Sequence, residues 1–129
     1  MANQFVVQLK NVPGAMAILA EELAERGVDL RAIGGGGMGE SGHVIMTTAD
    51  DATTKQILDE GGYTYIEGES ILAEVDDRPG GMAALSRQLA DAGVNIYGHL
   101  FLGRWGDRAM FAFVVDDPDR ARPILERKR

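Results

Sequence analysis

The sequence of 129 residues contains no cysteine. Disulfide bonds, thiol nucleophiles and zinc–thiolate sites are therefore excluded. Histidine is also scarce, because His43 and His99 are the only two. Neither has the helical spacing with carboxylates that a metal site of three or four protein ligands requires. The sequence thus predicts no metal site and no cofactor.

Basic residues are fewer than acidic ones, with 13 Lys and Arg against 20 Asp and Glu and a net charge of −7. They are scattered, whereas nucleic-acid binding needs grouped cations to neutralise phosphates. Long apolar runs are missing too, since the run 15–20 stops at Glu21 and the N-terminus lacks the basic segment of a signal peptide. We therefore expect a soluble, cytoplasmic protein that binds neither nucleic acid nor membrane.

An internal duplication is the main feature that the sequence does contain. Residues 13–19 (PGAMAIL) recur as residues 79–85 (PGGMAAL), a displacement of 66 (79 − 13). A shared register of this kind indicates one supersecondary unit used twice. Units of this size are marginal alone, so the two are expected to pack against each other. The predicted domains are residues 1–68 and 69–129.

The first repeat is predicted to have the order β-α-β-β-α-β. Its strands are expected at 5–9, 28–33, 44–48 and 63–66, with one helix over 15–26 and another that ends at Glu60. Gly34–Gly39 is expected to be a flexible hairpin loop. This run satisfies G-x-G-x-x-G, but a strand follows it where a dinucleotide site needs a helix. A Rossmann site is therefore not expected.

The second repeat is predicted to follow the same course with one strand fewer. Its strands are expected at 71–75, 95–102 and 108–115, with helices over 81–92 and from Pro118. The predicted fold class is α+β: two ferredoxin-like repeats with antiparallel sheets and helices packed on one face, the second repeat lacking its last strand. An open sheet edge is a template for pairing, so a homo-oligomer, most simply a dimer, is expected.

Two pairs of adjacent carboxylates precede predicted helices. The displacement of 66, continued without a gap, aligns Asp50 and Asp51 with Asp116 and Asp117. Asp117 with Pro118 at the first helical position is a helix-start signal, and Asp50 or Asp51 can cap the other helix. Helix capping explains these pairs more simply than acid–base catalysis.

Each repeat also carries N/D-x-P-G after its first strand and Gly-Val-Asp/Asn-Leu/Ile after its first helix. These are residues 11–14 with 27–30, and residues 77–80 with 93–96. The pattern resembles the ACT domain family, and two copies in so short a chain look like the stand-alone tandem ACT proteins. The resemblance covers roughly residues 4–125. It implies two ACT-type repeats that bind a small ligand, commonly an amino acid, and regulate a partner enzyme without catalysis.

In this family the ligand lies between the first loop of one unit and the start of the second strand of its partner. The resemblance therefore implies these ligand-binding positions: Asn11, Val12, Pro13, Gly14, Ala15, Met16, Asp29 and Leu30 in repeat one, and Asp77, Arg78, Pro79, Gly80, Gly81, Met82, Asn95 and Ile96 in repeat two. Asp29 and Val12 depart from the family pattern, so repeat two is expected to hold the fuller site.

The chemistry of these positions suits a free amino acid. The N–H groups at a helix start favour a carboxylate, and the glycines allow close approach to the backbone. Asp77 can pair an ammonium group, and Asn11 can both donate and accept. A side chain at Gly80 is expected to crowd this loop. The alternative is that these residues only shape a turn and bind nothing.

Three further interpretations stay open. The chain can be a purely structural or oligomerisation protein that binds no ligand. It can be an acylphosphatase-like enzyme, for which Arg78 is the candidate phosphate-binding residue. Trp105, predicted in the tight loop between the last two strands, can mark a contact surface or fold back over a neighbouring helix.

Overall fold

Two separate hydrophobic cores lie within residues 3–127, which are the residues that the computed structural model describes. The chain divides into two units between Gly68 and Glu69, here called repeat one and repeat two. The two outermost residues at each end, which the predicted domains 1–68 and 69–129 include, lie outside the described residues.

Repeat one contains a four-stranded sheet with two helices. Its elements are β1 (Asn3–Lys10), α1 (Ala15–Glu25), β2 (Leu30–Met38), β3 (Ser41–Thr48), α2 (Asp51–Glu60) and β4 (Tyr65–Glu69). The strand order is β2-β3-β1-β4, and β3 runs antiparallel to both β1 and β2. Phe5, Val7 and Met46 are buried in one cluster with Leu19 of α1 and Leu58 of α2. The helices therefore cover the face of the sheet that these alternate strand residues share.

Repeat two has the same order of elements without the last strand. It contains β5 (Ile71–Asp76), α3 (Gly81–Asp91), β6 (Ile96–Trp105), β7 (Arg108–Val115) and α4 (Pro118–Leu125). Its antiparallel sheet has the order β5-β7-β6. Phe113 packs in its core with Leu85 and Leu89 of α3 and Ala121 and Leu125 of α4. The predicted α+β fold is confirmed, including the three-stranded second sheet.

The glycine run is a strand, so the prediction of a flexible hairpin loop over Gly34–Gly39 was wrong. Gly34 pairs with Ile45 and Gly37 with Gly42, and the turn is reduced to two residues. The space for a side chain differs along the run, since a Cβ on Gly36 would meet no atom within 4 Å. A Cβ on Gly35 would be 2.3 Å from the backbone oxygen of His43.

Trp105 likewise ends a strand instead of occupying a loop. It pairs with Arg108, and the turn between them is Gly106–Asp107. Its side chain is exposed, with one edge of the indole against Gly103. Glycine in both hairpin turns, Gly39 and Gly106, has a positive φ.

The ungapped register between the repeats ends within β6, before the hairpin turn, because the turn glycines Gly39 and Gly106 are already displaced by 67 (106 − 39). Strand β6 has 10 residues and β2 has 9, because the pairing shifts between Phe101 and Gly103. The helix caps are consequently Asp50 and Asp117, a displacement of 67 (117 − 50). The predicted capping role is confirmed, but the alignment of Asp51 with Asp117 was wrong. One inserted residue in a bulge is invisible to an ungapped comparison.

Within residues 3–127, no helix has both the length and the hydropathy that crossing a membrane requires.

Candidate ligand-binding cleft

Helix α1 begins without a capping side chain. Gly14 precedes it at φ 89°, no side chain bonds its first turn, and that turn has no acidic residue. Helix α2 instead starts with Asp50, whose pKa is lowered because its carboxylate accepts hydrogen bonds from the backbone and then from the side chain of Thr53. Helix α3 has the same uncapped start after Gly80, at φ 92°. In α1 the N–H of Ala15 donates to the carbonyl of Val12 at 3.4 Å, and in α3 the N–H of Gly81 donates to the carbonyl of Arg78 at 3.1 Å. The N–H groups that follow in each first turn are therefore the ones that an anionic group can contact.

The loop before α1 is attached to the tip of the β2–β3 hairpin. The backbone N–H of Asn11 donates to the carbonyl of Glu40 at 3.0 Å, and its side-chain amide donates to the carbonyl of Gly39 at 3.0 Å. The Asn11 side chain lies against Gly37, where a Cβ would be 2.5 Å from Oδ1. Asn11 thus brings the loop beside the glycine strand.

A cleft of about 370 Å³ opens between this loop, the start of α1 and β2. Its lining is mainly aliphatic, and the side chains involved belong to Leu9, Val12, Met16, Ile33 and Val44. These residues line it because β1, β2 and β3 direct alternate side chains to the face that α1 only partly covers. Ile33 stays half-exposed for the same reason.

The polar lining of the cleft comes from Lys10, Asn11, His43 and the backbone of Gly34–Gly37. None of the residues that line it within positions 3–127 is acidic. The backbone of Gly34–Gly36 carries no side chains of its own, whereas the Asn11 side chain lies against Gly37. The cleft can therefore accept an apolar group together with an anionic or neutral polar head.

Part of the predicted site in repeat one lines this cleft: Asn11, Val12, Ala15 and Met16. Pro13 lies in a second cleft of about 460 Å³ on the other side of the loop. The sequence reasoning missed the glycine strand as a wall of the site. The signal was the placement of the run between two apolar segments of strand character, with a two-residue turn after it.

Asp29 and Leu30 lie at the other end of the same sheet. Leu30 pairs with Thr48, whereas the loop contacts the hairpin where Met38 pairs with Ser41. Asp29 forms an exposed ion pair with Arg31 at 3.5 Å.

Asn95 and Ile96 have the matching place in repeat two. Ile96 pairs with Val115, while the loop after β5 contacts Asp107 beside the other end of the sheet. Within one repeat the structure therefore does not bring the two predicted groups together. That a ligand is shared between the loop of one unit and the strand of its partner stays a prediction.

The corresponding loop of repeat two is held by charged side chains. Arg104 Nε donates to Asp77 Oδ2 at 2.8 Å, and its guanidinium lies 4.8 Å from the ring centroid of Phe101. Arg108 pairs with Asp76, and its other nitrogen lies 3.7 Å from Glu74. Arg104 thus neutralises Asp77 in the loop, and Arg108 neutralises Asp76 at the end of β5.

A smaller cavity of about 240 Å³ adjoins the second loop. Its lining residues within the described chain are Asp76, Arg78–Gly81 and Ala84, so no part of β6 contributes. Met82, the remaining predicted position, packs against the core of repeat two. Arg78 is exposed and pairs with Asp76 at 3.1 Å.

A polar contact between distant segments of repeat one joins α1 to the residues after α2. The hydroxyl of Tyr63 donates to Glu22 Oε1 of α1 at 2.7 Å. Partial burial, and next this hydrogen bond, raise the pKa of Tyr63 to about 12.

Both histidines are exposed, and no cluster of three potential metal ligands occurs among residues 3–127.

Comparison with known proteins gives structural neighbours only. No protein-family model matches the sequence, and no curated protein matches it. Protein BT0572 from Bacteroides thetaiotaomicron is similar in structure, with 18% identity and a TM-score of 0.72 over 97% of this chain and 86% of that one.

Two further neighbours are regulatory subunits of aspartate kinase. The ligand-free form from Thermus thermophilus has 19% identity and a TM-score of 0.62 over 97% of this chain and 87% of that one. The one from Thermus flavus has 16% identity and a TM-score of 0.67 over 98% and 92%. At these identities the likeness concerns the fold alone, and that fold is the α+β arrangement of ferredoxin-like repeats that the sequence predicted.

Proposed function

We propose that this chain is a non-catalytic regulatory module that binds an amino acid with an aliphatic side chain in the cleft of repeat one. The open cleft of about 370 Å³ beside the uncapped start of α1 carries the proposal. The shared fold with two regulatory subunits of aspartate kinase supports a regulatory role on a partner enzyme.

The groups around the cleft match the three parts of such a ligand. The N–H groups that follow Ala15 in the first turn of α1, together with Lys10, suit the carboxylate. The amide oxygen of Asn11 and the exposed backbone of β2 can accept hydrogen bonds from the ammonium group. Leu9, Met16 and Ile33 provide apolar surface for the side chain.

Regulation requires the ligand to favour one of two arrangements of the protein. A ligand in this cleft contacts both the loop before α1 and the edge strand β2. It therefore favours the arrangement in which the loop and the edge strand lie together. A change at this edge is the means by which we propose that binding reaches a partner chain.

A thermal-shift screen against the twenty amino acids tests the proposal. Ligands that bind only the native state stabilise it, by about 2.7 kcal/mol at a hundredfold excess over Kd. We expect aliphatic amino acids to raise the Tm of the native chain. Val12→Trp, which fills the mouth of the cleft, is expected to weaken the response at least tenfold in concentration.

Arg78→Trp is the matched control, because Arg78 occupies the same position as Val12 in the loop of repeat two and is exposed. It should leave the response unchanged. A native chain that responds to no amino acid at millimolar concentration would contradict the proposal and favour a purely structural or oligomerisation protein. An acylphosphatase-like role has no comparable support, since the guanidinium of Arg78 is already paired with Asp76.

A further inference from the structure

We infer that the second repeat's loop site is closed by the chain's own Arg104, so that each chain binds one ligand instead of two. The ligand in this inference is the amino acid of the proposed function, so this part rests on that proposal and adds the number of sites per chain. At a set of equivalent positions the two repeats carry opposite chemistry.

The strand pairing identifies those positions. Gly37 pairs with Gly42 in repeat one, and Arg104 pairs with Ala109 at the equivalent place in repeat two. In both repeats this is the second pair from the end of the hairpin. The Asn11 side chain of the loop occupies the place that a Cβ of Gly37 would take, whereas Arg104 reaches across to the loop with its own side chain.

The aromatic residue below Arg104 fits the same comparison. Phe101 pairs with Phe111, and this pair lies two steps along the strand ladder from the pair of Arg104. In repeat one, the pair of Gly35 and Val44 lies two steps from the pair of Gly37, so Gly35 is equivalent to Phe101. The Phe101 and Phe111 rings are 5.5 Å apart, and the guanidinium of Arg104 lies over Phe101. Repeat two therefore has a ring and a cation where repeat one has accessible glycine backbone.

The loop residue changes in step with the strand residue. Asn11 and Asp77 are equivalent, because their N–H groups donate to Glu40 and Asp107 of the respective hairpin turns. Asp77 needs a cation, and Arg104 supplies it at 2.8 Å. Asn11 is neutral and bonds only within its own loop and turn among the contacts described. The charged pair Asp77–Arg104 indicates a closed site in repeat two, and the neutral residues Asn11 and Gly37 indicate an open site in repeat one.

The closure can be measured without any ligand, by hydrogen exchange of the backbone amides. In the native chain we expect the amides of residues 77–82 to exchange more slowly than those of residues 11–16. Pro79 and Pro13 have no N–H and are left out of the two sets. Phe101→Ala/Arg104→Ala should raise exchange over 77–82 at least threefold and leave 11–16 unchanged. Arg31→Ala, which removes another exposed ion pair, should change neither loop. Equal exchange of the two native loops, or no effect of the double variant, would overturn the closure.

The number of sites is measured by calorimetric titration with L-leucine, L-isoleucine, L-valine and L-methionine separately. We expect one binding event per native chain. Asn11→Asp/Gly37→Arg, which transfers the pair of repeat two to repeat one, should weaken it at least tenfold, because the new arginine lies beside the loop and pairs with the new aspartate, which removes the neutral amide of position 11. Phe101→Ala/Arg104→Ala should leave that first event unchanged.

The outcomes separate the two proposals. Two events in the native chain, or loss of binding in the Phe101/Arg104 variant, would overturn the single-site inference while leaving a ligand-binding protein. If none of the four amino acids binds but amides 77–82 are protected through Arg104, the proposed ligand is wrong and the closure of repeat two stands.

Discussion

At the residue scale, the glycines before α1 and α3 are required by backbone conformation. Gly14 and Gly80 have φ values of 89° and 92°, and a Cβ on either would meet no atom within 4 Å. A Cβ at Gly80 therefore does not crowd the loop, contrary to the expectation from the sequence. The cost of a side chain there is strain in a left-handed conformation.

Gly14→Ala should lower the free energy of unfolding by about 1–2 kcal/mol, because an L residue at this φ is strained. Urea unfolding followed by circular dichroism measures the change. Gly36→Ala is the matched control: its Cβ also meets nothing within 4 Å, but its φ is not positive. An equal loss in both variants would mean that strain is not what selects glycine at position 14.

At the element scale, capping distinguishes the two kinds of helix. Helices α2 and α4 have Asp50 and Asp117 as caps, whereas α1 and α3 leave their starts open beside the loops. The same contrast occurs in both repeats, although the caps are displaced by 67 residues and the loops by 66. In the capped helices an aspartate side chain accepts from the first turn, whereas in α1 and α3 the first N–H donates to the preceding loop and no side chain caps the turn.

The contact between Tyr63 and Glu22, which joins α1 to the segment after α2, should make stability depend on alkaline pH. The pKa of Tyr63 is raised to about 12 in the folded protein, from about 10 when unfolded. The folded state thus favours the protonated phenol, and its contribution is complete below pH 10 and is lost as pH rises through 12.

Between pH 9 and pH 11.5 the native chain should lose about 1 kcal/mol more stability than Tyr63→Phe, after allowance for solvent screening. Urea unfolding at each pH measures this difference. Tyr97→Phe, which changes an exposed tyrosine, should behave as the native chain does. The same alkaline loss in Tyr63→Phe would assign the effect to other groups.

At the scale of the whole molecule, each sheet has an edge strand with unpaired backbone groups within the described residues. Strand β2 is an edge of the first sheet, and β6 is an edge of the second. Exposed apolar side chains occur on both, including Ile33, Met38 and Phe101. Edges of this kind favour pairing with another chain, which supports the predicted homo-oligomer.

Sedimentation of the native chain should therefore give the mass of a dimer, twice the 13.9 kDa of one chain. The measurement is made at micromolar concentration, with and without an amino acid that raises the Tm. A change of the monomer–dimer equilibrium with ligand would connect the cleft to assembly by linkage. A monomer under all these conditions would contradict the prediction.

The sequence by itself determined the elements and their order. Periodic apolar residues, the Pro-Gly corners and the aspartates before α2 and α4 act over a few neighbouring residues, so the duplication and the ferredoxin-like course could be predicted from them. Strand ends were less predictable, because a strand continues as long as a partner is present. Gly34–Met38 is an example, since pairing with β3 overrides the flexibility of glycine.

Only the tertiary structure decided which loop is open. Asp77 and Arg104 are 27 residues apart in the chain, and Asn11 and Gly39 are 28 apart. The Asp77–Arg104 contact depends on the bulge in β6, which shifts the register by one residue, and both contacts depend on the side to which each strand residue points. Such contacts follow from the folded path of the backbone, because no local pattern states which distant side chain will meet a loop. The sequence motif is fuller in repeat two, yet the cleft of about 370 Å³ lies in repeat one. The motif alone therefore did not indicate which repeat has the cleft.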